Sequence, residues 1–196
     1  MFTLKAILTG VLPLVLISGC SSLPQAPVRY GLGSMPTAAD IRAWDIDVTP
    51  DGKGLPPGSG TVAQGRALYA EQCSACHGAT GEGGPGGRLM GGRGSLATAQ
   101  PVLSIGSFWP YATTLYDYIH RAMPHTRPQS LKPDEVYALT AFLLHQNGIV
   151  SPDTALDAQS LPRVVMPNRH GFTSPDPRPD VQGTRCMKDC LKAPAS

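Results

Sequence analysis

Cys73-Ser74-Ala75-Cys76-His77 constrains this chain more than any other stretch. Two thiols spaced this way on one turn reach the two vinyl groups along one edge of a haem together. The histidine directly after the second thiol then falls beneath the iron. A bare C-x-x-C would leave zinc or thiol redox chemistry open. The adjoining histidine, the lack of a second C-x-x-C and a secretory N-terminus point instead to one covalent haem c, with His77 as an axial ligand.

Residues 1–19 read as a signal peptide, with Lys5 as the charge, Ala6 to Ile17 as the apolar run and Ile17-Ser18-Gly19 as the small-residue site. The run contains Pro13 and falls short of a membrane span of roughly 20 residues. Ile17-Ser18-Gly19-Cys20 also resembles the lipobox of bacterial lipoproteins, in which the cysteine is lipidated and begins the mature chain. Ordinary cleavage nearby, leaving a free Cys20, is the alternative. Acyl chains contribute about 0.8 kcal/mol per buried CH2, so the several carried by a lipoprotein anchor it durably. The expected location is the periplasmic side of a bacterial membrane, outside the cytoplasm, where haem c is attached. Cys186 and Cys190 remain. Leu191 follows where a histidine would be needed, which argues against a second covalent haem. An oxidising compartment favours a local Cys186–Cys190 disulfide, with a regulatory or partner-linked thiol pair as the alternative.

The charge balance, 16 basic against 14 acidic residues, provides no strong field and argues against a nucleic-acid partner. Only 15% of residues are charged, whereas Gly and Pro number 22 and 20. That composition suggests a small loop-rich core with long irregular arms. Residues 20–60 read as a tether and extended arm in which Ala39–Trp44 forms one helical turn, packing Trp44 onto the domain. Residues 61–148 read as the haem domain and 149–196 as a Pro-rich C-terminal arm.

Within the core, Thr61 and Gln64 match a capping box, and Val62, Gly65, Leu68 and Tyr69 form a helical stripe leading to Cys73. Gly65 marks either close contact with another helix or a tolerated glycine. A second amphipathic segment spans 113–122, with Leu115, Tyr118, Ile119 and Ala122 on one face. A third opens at Pro133-Asp134-Glu135, buries Val136, Leu139, Thr140, Leu143 and Leu144, and stops at Gly148.

The glycine-rich run from Gly78 to Gly94 has no preceding strand and no G-K-[ST], so it is not a phosphate loop. It suits close passage by a flat porphyrin, and Pro85 is placed to offer a carbonyl to the His77 ring. The sixth iron ligand decides the chemistry: histidine with methionine suits electron transfer, whereas an open position would permit ligand binding or catalysis. Met123-Pro124 ends the second helical segment and is the leading candidate; Met90 and Met166 are the alternatives, and His120 or His125 would give a bis-histidine iron. His120, His125, Arg121, Arg127 and Lys132 form a mildly basic rim, either a docking surface for an acidic redox partner or an ordinary charged surface. Trp109 and Tyr111 are placed to pack on the haem, to bond a propionate or to fill the core.

Helix, C-x-x-C-H, glycine loop, Met-Pro and helix together match the class I cytochrome c layout: an all-α fold of three to four short helices around one covalent haem. Trp44–Val48, Leu55–Gly60, Arg121–Pro124, Pro128–Leu131, Asp134–Leu139, Met166–Arg169 and Arg185–Cys190 further resemble the cytochrome c subunit of bacterial sulfite and sulfane dehydrogenases. The resemblance implies thioethers at Cys73 and Cys76 and axial ligands at His77 and Met123. It implies that electrons come from a molybdenum-cofactor subunit and leave to a downstream acceptor, with the arms at 29–60 and 149–190 as surfaces wrapping the molybdenum subunit. Two departures stand out: one haem motif where some relatives carry two, and the lipidation signal.

Overall fold

The helical framework follows from capping and apolar spacing. The computed structural model describes residues 30–172; the signal peptide, Cys20, Cys186 and Cys190 lie outside the described residues. Helix α1 spans Ala38–Trp44, α2 Val62–Gln72, α3 Ser74–His77, α4 Ala112–Ala122 and α5 Pro133–Gln146. Thr61 opens α2 with the expected capping box, its hydroxyl accepting the Gln64 N–H while Gln64 accepts the Thr61 N–H. Pro133 sits in the first turn of α5, beside Asp134 and Glu135 at the positive end of the helix dipole.

Helix α5 is the axis of the core. Every residue from Val136 to Leu144 is buried, a wider face than the single stripe expected. The cause is position: α2 and two short strands pack on α5, and α4 packs on it as well. Each large apolar side chain buried there contributes roughly 1.5–3 kcal/mol. The strands are β1 (Ser59–Thr61) and β2 (Ala155–Asp157), antiparallel with Gly60 opposite Leu156.

The core therefore does not end at Gly148. Leu156, Leu161 and Met166 are 2%, 0% and 1% exposed and belong to the same apolar cluster as α5. The expected C-terminal arm is part of the packed body at least to Met166. The N-terminal arm is likewise laid down on helices: the Tyr137 hydroxyl donates to the Pro56 carbonyl at 2.9 Å and Thr113 to Pro50 at 3.1 Å. Trp44 departs from expectation. Helix α1 carries its own capping box from Thr37 and Asp40 but buries no residue, and Trp44 is 87% exposed. The chain rejoins the body only at Val48, which is buried, so Trp44 has no apolar surface beneath it. Among the described residues no helix is long and apolar enough to cross a membrane.

Candidate haem site

Helix α2 ends at Cys73, whose N–H still bonds the Tyr69 carbonyl, and the chain continues directly into α3. One turn therefore presents Cys73, Cys76 and His77 together. Cys73 is half-buried and Cys76 exposed. Burial, and then the neighbouring Cys76, pushes the Cys73 thiol up to about 11. Among the described residues no three Cys, His, Asp or Glu side chains converge as a metal-ion cage, so these three do not make a zinc-type donor set.

The glycine loop folds back on α3 rather than only bordering the cavity. Gly86 donates to the Cys76 carbonyl at 2.8 Å and Gly83 to the His77 carbonyl at 2.9 Å. A Cβ at Gly84 would stand 2.5 Å from the main-chain Cys76 oxygen, so that position requires glycine; one at Gly86 would stand 2.8 Å from the His77 ring and push it aside. The carbonyl facing His77 Nδ1 belongs to Gly87, at 2.9 Å, not to Pro85 as expected. The two bonds to Cys76 and His77 pull the loop inward and bring Gly87 over the ring, while Pro85 lines the cavity wall. A carbonyl only accepts, so Nδ1 carries the proton and Nε2 keeps its lone pair for a metal.

Cys73, Cys76 and His77 form one side of a cavity of about 610 Å³, mostly apolar, within the range of cofactor sites. Its wall includes Leu89, Leu103, Ile105, Trp109, Leu115, Ile119, Leu131, Leu139 and Leu143. Tyr69 reaches in as well; its hydroxyl donates to the Gly78 carbonyl at 2.9 Å, and burial pushes its pKa up to about 12. Met123 enters the same cavity from the C-cap of α4, where its N–H bonds the Ile119 carbonyl at 3.0 Å. Neither Met90 nor Met166 lines it. An apolar slot bearing two thiols, an oriented imidazole and a thioether fits a covalent haem.

The remaining expectations divide. Trp109 lines the cavity and stacks edge-on to Tyr118 at 5.7 Å, whereas Tyr111 lies outside it beneath Arg169. His125 lines the cavity; His120 does not, and its buried Nδ1 has no partner among the described residues. Tyr118 is 48% exposed, and Tyr116, outside the expected stripe, is fully buried. Arg121 does not extend the basic rim outward, because it turns back to pair with Asp117. Leu103 and Ile105 carry no periodic signal by which sequence reasoning would have found them.

The family model for subunit III of cbb3-type cytochrome c oxidase matches residues 60–143, from β1 through most of α5. A chain in the crystal structure of the sulfane dehydrogenase SoxCD from Paracoccus pantotrophus is 46% identical, covering 86% of this chain and 85% of its own, with a TM-score of 0.71. This chain is a class I cytochrome c. No curated protein matches it. The cytochrome carries haem c and has a haem electron-transfer role, within the all-α fold that its capping and spacing imply.

Proposed function

We propose that this cytochrome is the electron-carrying subunit of a periplasmic molybdenum-cofactor dehydrogenase acting on sulfite or sulfane sulfur, relaying electrons to a respiratory acceptor. Lipidation at Cys20 tethers it to a membrane, and Cys186 and Cys190 close a disulfide. The observation that carries the reading is the convergence of Met123 with Cys73, Cys76 and His77 on one apolar cavity. Likeness to a sulfane dehydrogenase chain over 86% of the sequence supports the partner class.

Haem c, once bound through Cys73 and Cys76, supplies reversible one-electron chemistry. His77 would hold the iron through Nε2, with the Gly87 carbonyl fixing the ring. Met123 would supply the second protein ligand from the facing wall, and the leucine and isoleucine side chains would keep water away from it. With both ligands supplied by the protein, the group would serve electron transfer rather than ligand binding.

His125 lines the same cavity and supports a second reading, a bis-histidine iron. Absorption spectra of the oxidised and reduced holoprotein, beside Met123→Ala, separate the two. The weak far-red band of methionine sulfur on ferric iron is expected in the wild type and lost in the variant. A wild type that lacks the band, or that takes up carbon monoxide readily when reduced, overturns the assignment.

A further inference from the structure

A second hollow of about 540 Å³ opens between the loop of Arg93 and the Val165–Gly171 loop. It is lined by Arg93, Arg169 and His170 and by no carboxylate. On a chain with a net charge of only +2, the two arginines are a local concentration of positive charge. Among the described residues the one ion pair is Arg121–Asp117, so neither arginine is neutralised there. Arg93 reaches only the Asn147 carbonyl, at 3.4 Å, and the Arg169 guanidinium lies 4.4 Å above the Tyr111 ring.

We infer that this hollow is a docking site for an acidic segment of a redox-partner protein. Three features favour a protein over a small anion. The hollow is broadly open, whereas small-ligand sites enclose most of their ligand. Exposed apolar side chains accompany the charges: Val165, in its wall, is 76% exposed, and Phe172, just beyond, is 57% exposed. Arginine set among apolar and aromatic groups is the composition of protein interfaces. The hollow is also tied to the haem cavity. Asn168 donates to the Phe108 carbonyl at 2.7 Å and Arg169 covers Tyr111, gripping both sides of Trp109, which lines the cavity. A partner seated here stands close to the Trp109 wall. The inference rests on the electron-carrier reading only for the partner being a redox protein.

The test is titration of the ¹⁵N-labelled, reduced holoprotein with short poly-L-glutamate, followed by NMR. Amide shifts are expected at Arg93 and along Val165–Phe172, fading as salt is raised. Arg93→Gln/Arg169→Gln should weaken binding by about tenfold or more. Val165→Glu, at an exposed position that folding does not need, should weaken it too. Arg127→Gln/Lys132→Gln should leave it unchanged. Shifts confined to the 125–132 rim, or parental affinity in both the arginine pair and Val165→Glu, overturn the inference. Sulfate producing the same shifts and blocking the peptide also overturns it, by revealing a small-oxyanion site. So does a changed far-red band in the arginine pair, since the arginines would then act on the haem. The Met123→Ala spectra depend on none of these outcomes, so the docking site and the carrier reading fail separately.

Discussion

Gly65 of α2 lies so close to Ala138 of α5 that a Cβ at position 65 would stand 1.9 Å from the Ala138 carbonyl oxygen. The contact sets the spacing between α2, which leads into the haem-binding turn, and α5, which lines the haem cavity. It also resolves what the sequence left open, because Gly65 is there for close approach and not merely tolerated. Gly65→Ala pits two effects against each other. Alanine gains about 1 kcal/mol in helix propensity. Against it stands overpacking, which typically costs about 1–3 kcal/mol and more where the obstacle is main chain. Overpacking wins, and Tm is expected to fall by several degrees, since 1 kcal/mol moves Tm by about 2–4 °C in a chain of this size. An unchanged melting curve would mean that α2 and α5 do not touch here.

Asp117 ties the N-terminal segment to α4. Its buried carboxylate accepts the Val48 N–H at 2.8 Å and Arg121 Nε at 2.9 Å. Asp117→Ala leaves the Val48 N–H buried without an acceptor, costing about 1–3 kcal/mol. Asp117→Asn keeps an oxygen for Val48 and loses only the ion pair. Arg121→Gln should be nearly neutral, because the Arg121 side chain is 48% exposed and surface pairs contribute little. Urea unfolding should rank the losses as Asp117→Ala, then Asp117→Asn, then Arg121→Gln. Equal losses at Asp117→Asn and Asp117→Ala would assign the stabilisation to charge and not to the Val48 bond.

Much of the haem domain was legible because its signals are local. Thr61 and Gln64 form a capping box within one turn, Pro133 and its acids mark a helix start, and C-x-x-C-H carries its chemistry in consecutive residues. Met123 could be placed because Pro124 stops a helix. What was missed depends on distant partners. Tyr116 looked outward by a single-stripe reading, yet α4 has two covered sides, one on the cavity and one against Tyr137 at 4.5 Å. Gly87 displaced Pro85 because two bonds from the loop to α3 set its path. Trp44 looked like a packing residue, but nothing in its own turn shows that the body begins only at Val48. The pairing of Gly60 with Leu156 joins segments far apart in sequence through strands too short for any periodicity.

The core status of 155–166 is itself testable. Leu161 is fully buried and packs in the same cluster as Leu156 and Leu144. Leu161→Ala should cost about 2–5 kcal/mol, the range for buried leucines, and a chain cut after Gly148 should fail to fold stably around its haem. Thermal unfolding of the holoprotein checks both. A truncated chain that melts like the parent would return the boundary to Gly148.

Acid sensitivity should enter the haem loop through Glu82. Its carboxylate is fully exposed, yet it is held down to about 2 from an ordinary 4.5, first by its own N–H, then by the Thr80 N–H and hydroxyl and the Ala79 N–H. The Thr80 and Ala79 bonds measure 2.7 and 3.1 Å to nitrogen. A depressed pKa means that the fold favours the ionised form, so this stabilisation is complete above 4.5 and fades as pH falls toward about 2. Glu82→Gln cannot ionise. The variant should be less stable than wild type near neutral pH, and the gap should close across that window. Other carboxylates titrate nearby, among them Asp40, Asp51 and Asp157, so the quantity to measure is the difference between the two proteins in urea midpoint at each pH. Glu82 joins the turn next to His77, so the far-red band should weaken at higher pH in the variant than in wild type. A gap that stays constant through the window would show that the ionised carboxylate is not what holds the loop.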